Sequence, residues 1–65
     1  MPTVNDLARA HLDAMYRHAA VSVLWNDAPE PRPLALYRVV REAEARLDAA
    51  TAALTEALAR WRGEG

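Results

Sequence analysis

His11, Met15 and His18 follow one another at intervals of four and three residues, so each neighbouring pair shares a face of a predicted helix. Imidazole nitrogen and thioether sulfur are ligands for copper and haem iron, and histidines one turn apart on a helix are a usual way to hold a metal. The two histidines themselves lie two turns apart, roughly 10.5 Å along a helix axis, so one ion cannot be held by both within a single helix. Two antiparallel copies of the helix crossing near Ala14 and Met15 would bring His11 of one chain towards His18 of the other. Pairs formed in this way could be neutral hydrogen-bonded partners in an interface, pH-sensitive contacts, or metal ligands. The first is the expectation, because polar groups in or beside an interface are normally satisfied there. If the histidines are neutral when folded, acid would charge them and loosen the assembly, since desolvation disfavours the charged form.

Little else in the chain is equipped for catalysis. There is no cysteine, no lysine and a single serine, Ser22, which on an apolar helix face is expected to bond a backbone carbonyl. A bundle of this size offers no deep pocket, so neither enzymatic activity nor a cofactor is expected. Trp25 and Trp61 stand at the ends of the two predicted helices, where large residues usually close off a core. Tyr16 falls on the polar wedge and Leu24 beyond its edge, which makes them candidates for an exposed contact surface, whereas Tyr37 should be a half-buried rim residue. Pro29, Pro31 and Pro33 lack the P-x-x-P spacing of polyproline ligands and read as a spacer. Arg32, Arg38 and Arg41 form one small basic cluster, and Arg60 and Arg62 another. Glu30, Glu42 and Glu44 interleave with the first, and Glu56 and Glu64 flank the second, which favours solvated helix faces over phosphate contacts.

Composition bounds the remaining possibilities. A chain of 65 residues holds one domain, residues 1–65, and a core of that size is marginal without disulfides, metal or oligomerisation. Fifteen of its apolar residues are alanine, which buries little area apiece. A net charge of −1 provides no long-range field for nucleic acid or anionic lipid. The cations are all arginine, and with abundant Ala and no Lys, Ile, Phe or Gln this fits the codon bias of a high-GC genome, as in a small bacterial protein. No apolar run is long enough to span a bilayer, and the N-terminus lacks the layout of a signal peptide, so a cytoplasmic location is expected.

The elements that must position these residues follow from periodicity. Thr3 and Asp6 resemble a capping box, with Asn5 as an alternative cap, and open a helix over about 4–24. Placed at 100° per residue, Leu7, His11, Met15, His18 and their apolar neighbours cover roughly 220° of its circumference. A helix that packs on one neighbour needs a stripe of roughly 100° or somewhat more, so this one should have two or more neighbours. Residues 26–33 carry alternating prolines and form a stiff connector, with Pro33 suited to the first position of the next helix. From Leu34 to Arg62 there is neither Gly nor Pro, which predicts a second helix over about 34–62 ended by Gly63. Arg38 with Glu42, Glu42 with Arg46, and Glu56 with Arg60 are spaced to pair along it.

Val40, Leu47, Leu54 and Trp61 recur every seven residues in the second helix, with Ala43, Ala50 and Ala57 three positions after the first three. This large-then-small heptad is the pattern of a close, coiled-coil-like helix seam, in which Ala50→Leu should force the helices apart. The expected fold is therefore all-α: an antiparallel two-helix hairpin, assembled into a helical bundle with a dimeric four-helix bundle as the simplest closed form. In plan this resembles the small dimeric hairpin bundles of the plasmid RNA-binding Rop type, a likeness of architecture without a shared motif. The expected interface residues are Leu7, His11, Met15, His18, Val40, Leu47, Ala50, Leu54 and Trp61. The expected function is a non-enzymatic, self-associating interaction module, an assembly, adaptor or small regulatory subunit, whose partner is a second copy or another helical protein. Two alternatives stand behind it: a metal or haem carrier using His11, Met15 and His18, and a small nucleic-acid-binding regulator using helix-surface arginines.

Overall fold

The computed structural model describes residues 2–64, with side chains to Trp61. It is all-helical: α1 spans Val4–Asp27 and α2 spans Leu34–Glu64, packed against each other as a hairpin, with no strand among the described residues.

The start of α1 is held by the capping box its sequence predicts. Asp6 N donates to Thr3 Oγ1 at 3.1 Å, and Thr3 N donates to the Asp6 carboxylate at 3.1 Å, so two of the helix's unpaired donors are satisfied reciprocally. The far end of α1 runs three residues past the expected boundary, through Asn26 and Asp27, and stops at Ala28, which has extended backbone. The residue before a proline is pushed out of the helical region, so Pro29 ends the helix through Ala28 and leaves Asn26 and Asp27 free to continue it.

Only residues 28–33 lie between the helices, with a cis peptide between Glu30 and Pro31. Pro33 stands just ahead of α2, and its carbonyl accepts from the N–H groups of Leu36 and Tyr37 at 3.1 and 3.3 Å. At the other end, α2 carries its helical backbone through Gly63 to Glu64 rather than stopping at the glycine.

The connector is clipped to α1 by one side chain. Arg32 Nε donates to the Trp25 carbonyl at 2.8 Å, its guanidinium lies 4.9 Å from the Trp25 ring centroid, and its Nη1 pairs with Glu30 at 2.8 Å. The sequence placed Arg32 in a basic cluster; in the fold it adds a short charge-assisted bond to a last-turn carbonyl of α1 that otherwise accepts only the long 3.4 Å bond from Ala28 N. Arg32→Ala should lower stability by about 1–2 kcal/mol, combining a charge-assisted hydrogen bond with a cation–π contact. Thermal melting followed by circular dichroism reads this directly. Arg32→Lys should recover little, since an ammonium lacks the planar fork that bonds and stacks at once.

Along α2, Arg46 pairs with Glu42 at 3.2 Å and Arg60 with Glu56 at 3.4 Å, as their spacing predicts. Arg41 pairs with Glu44 at 3.3 Å, and no Arg38–Glu42 pair occurs among the described residues. The side chains of Arg62 and Glu64 lie outside the described residues.

Candidate interaction face

The half-buried residues of α1 are Val4, Leu7, His11, Ala14, His18, Val21, Ser22, Trp25 and, at its cap, Ala28. Apart from Ser22, they alternate at three and four residues, the spacing of a coiled-coil seam. On α2 the less exposed positions include Leu36, Val40, Ala43, Leu47, Ala50, Leu54 and Ala57, which is the large-then-small heptad read from the sequence. Ala43, at 4% exposure, and Ala57 are the only buried residues among those described, and no large side chain is fully covered. Alanine lets the helices approach closely, but the resulting core is thin.

Two cross-helix pairs set the register. His11 Nε2 lies 3.1 Å from Thr51 Oγ1, and the rings of Trp25 and Tyr37 stand 6.0 Å apart, tilted by 55°. Both fall on one antiparallel alignment, in which each step forward along α1 matches one step back along α2.

The chemistry of the His11 contact follows from counting protons. The Thr51 hydroxyl donates its single proton to the Leu47 carbonyl at 2.8 Å. Thr51 Oγ1 must therefore accept from His11, so Nε2 carries a hydrogen. One heptad along, the same register brings His18 level with Glu44, whose carboxylate lies 3.3 Å from Arg41. Both histidines thus belong to the stripe of α1 that faces α2 of the same chain. Met15, between them in sequence, is 46% exposed and lies off that stripe. Among the described residues no group of three His, Asp or Glu side chains gathers at metal-binding distance.

The remaining expected interface residues are distributed along the seam and beyond it. Leu7, Val40, Leu47, Ala50 and Leu54 are half-buried. Trp61, placed by its heptad position to close the core, is 64% exposed. The register explains the correction: α2 is the longer helix, and Trp61 falls level with the chain before Val4, where α1 has not begun. Tyr16 and Leu24 are exposed, as their positions predict, and Tyr37 is half-exposed against Trp25.

The fold leaves a second apolar stripe on α1 uncovered. At 100° per residue the seam occupies roughly 100° of arc, and Ala8, Leu12, Met15, Ala19 and Val23 fill a further 80° or so beside it. All five are exposed, Leu12 at 50%. The sequence showed one wide apolar face; two adjacent three-and-four repeats within it were the signal that one stripe would pair inside the chain and the other would not. The whole hairpin exposes 5269 Å². A compact monomer of 7.2 kDa is expected to expose about 4,100 Å², so the hairpin shows on the order of 1,100 Å² more.

The other flank of the hairpin mixes arginine and carboxylate side chains with valine and alanine. It carries a shallow groove of about 80 Å³ lined by Arg17, Val21, Val39, Glu42, Ala43 and Arg46, and an open one of about 250 Å³ beside Asp13 and Ala50. Both are below the usual size of a small-molecule site, roughly 300–1,000 Å³. The paired arginines Arg41, Arg46 and Arg60 each face a carboxylate, which offsets their charge towards a phosphate. Among the described residues no helix is long and apolar enough to cross a membrane. No family model, curated protein or solved structure matches the chain.

Proposed function

We propose that this chain is a non-enzymatic, self-associating helical module, serving as an assembly element, adaptor or small regulatory subunit. The observation that carries this reading is the uncovered apolar surface. The whole hairpin exposes about 1,100 Å² more than a compact monomer of its mass, which is enough to supply the 800 Å² or so that each partner contributes to a standard protein interface. A hairpin whose buried residues, among those described, are two alanines has little intrachain core, and association would supply the burial that a domain of this size otherwise lacks. The simplest closed product is a dimeric four-helix bundle with two-fold symmetry.

Analytical ultracentrifugation over a micromolar dilution series, with circular dichroism on the same samples, tests the reading. A helical species of twice the chain mass that dissociates on dilution, losing helicity as it does so, is the expected result. A stable, fully helical monomer at micromolar concentration would overturn it.

A further inference from the structure

We infer that the exposed stripe Ala8, Leu12, Met15, Ala19 and Val23 of α1 seats a second copy of the same stripe, antiparallel, about a two-fold axis between Met15 and Tyr16. This rests on the self-association proposed above and specifies its geometry. It differs from an interface built on His11 and His18, because both histidines lie in the stripe that faces α2 of their own chain and His11 is bonded to Thr51 there.

Three observations select this face and this occupant. The outward face of α2 carries Arg38, Arg41, Asp48, Glu56 and Arg60 among alanines, and its exposed large apolar residues Leu34, Tyr37, Val39 and Leu58 do not share one three-and-four repeat, whereas Leu12, Met15 and Val23 lie on a single stripe of α1. The surplus area of the whole hairpin exceeds one partner's share of a stable dimer interface, about 800 Å², so a second copy can be seated without unfolding the chain. The stripe is also complementary to itself when reversed. An axis between Met15 and Tyr16 sets Ala8 level with the partner's Val23 and Leu12 level with the partner's Ala19, so Leu12 and Val23 each meet an alanine while the two flexible Met15 side chains share the centre. A parallel alignment would set Leu12 on Leu12 and Ala8 on Ala8, crowding one level and leaving a gap at the next. Isologous contacts of this kind close after two copies and leave no open end.

The chain has no cysteine, so introduced thiols report proximity cleanly. Met15→Cys places a thiol beside the axis, next to its own symmetry mate. Ala8→Cys places one roughly 22 Å along the helix axis from its mate, out of disulfide reach, whereas the double variant Ala8→Cys/Val23→Cys brings unlike positions together. Under mild oxidation at micromolar concentration, Met15→Cys and the double variant should form covalent dimers at least tenfold faster than Ala8→Cys alone. Faster cross-linking of Ala8→Cys than of Met15→Cys would overturn the antiparallel alignment. If sedimentation shows a dimer and neither Met15→Cys nor the double variant cross-links, this face is wrong while self-association stands. A folded monomer in sedimentation would remove both.

Discussion

Leu12→Glu is expected to turn the assembly into a monomer at concentrations where the parent chain is a dimer. Leu12 is 50% exposed in the hairpin, so the substitution takes little from the packing within one chain. At a two-fold interface it acts twice. Each copy loses the burial of a leucine, worth up to about 1.5–3 kcal/mol, and must desolvate a carboxylate with no cation opposite it. A combined loss of about 3 kcal/mol or more corresponds to weakening the dimer by upwards of about 100-fold. Because the hairpin retains only a thin core, the monomer should also be less helical, and circular dichroism should fall together with the sedimentation coefficient. Ala45→Glu, on the exposed side of α2, introduces the same charge away from the proposed face and should leave both readings unchanged. A Leu12→Glu chain that dimerises with undiminished affinity would show that this stripe is not the contact.

Ala43→Leu should be the most damaging substitution inside the hairpin. Ala43 is 4% exposed at the centre of the α1–α2 seam, where its small side chain sets how closely the helices approach. A leucine there must push the helices apart or adopt a strained rotamer that turns it out into the shallow groove beside Val39. Overpacking of this kind costs about 1–3 kcal/mol, which in a domain of this size lowers the melting temperature by on the order of 10 °C. Ala50 lies on the same seam but is only half-buried, so Ala50→Leu should follow the same direction with a smaller effect. Ala45→Leu changes an exposed helical position between two residues of similar helix propensity and should be close to neutral. Equal melting temperatures for Ala43→Leu and Ala45→Leu would mean that the seam is not closely packed at Ala43.

The two helices, the capping box and the heptad of α2 were legible in the sequence because each depends on neighbours within a few turns. Thr3 and Asp6 bond each other across one turn, and the prolines at 29, 31 and 33 exclude helix whatever surrounds them. The alternation of Val40, Leu47 and Leu54 with Ala43, Ala50 and Ala57 is a property of one helix and needs no partner to be read. Helix ends were less legible, as Asn26, Asp27 and Gly63 show: glycine tolerates several conformations, and the boundary set by Pro29 acts through the single residue before it.

Residue roles that depend on the opposing helix could not be read in the same way. Arg32 looked like part of a charged patch until the turn folded it back over Trp25. Trp61 shared a heptad with half-buried leucines, yet α1 is too short to reach it. His11 and His18 stood at the middle of a wide apolar arc, and only the register with α2 assigned them to the intrachain seam and left Leu12 and Met15 outside it. Periodicity along the chain therefore determined that two amphipathic helices would form and that one of them carried more apolar surface than a single neighbour could cover. Only the tertiary structure decided which part of that surface stayed exposed, because helix pairing is fixed by rotation and register between segments far apart in the chain, and these appear in neither segment's own pattern.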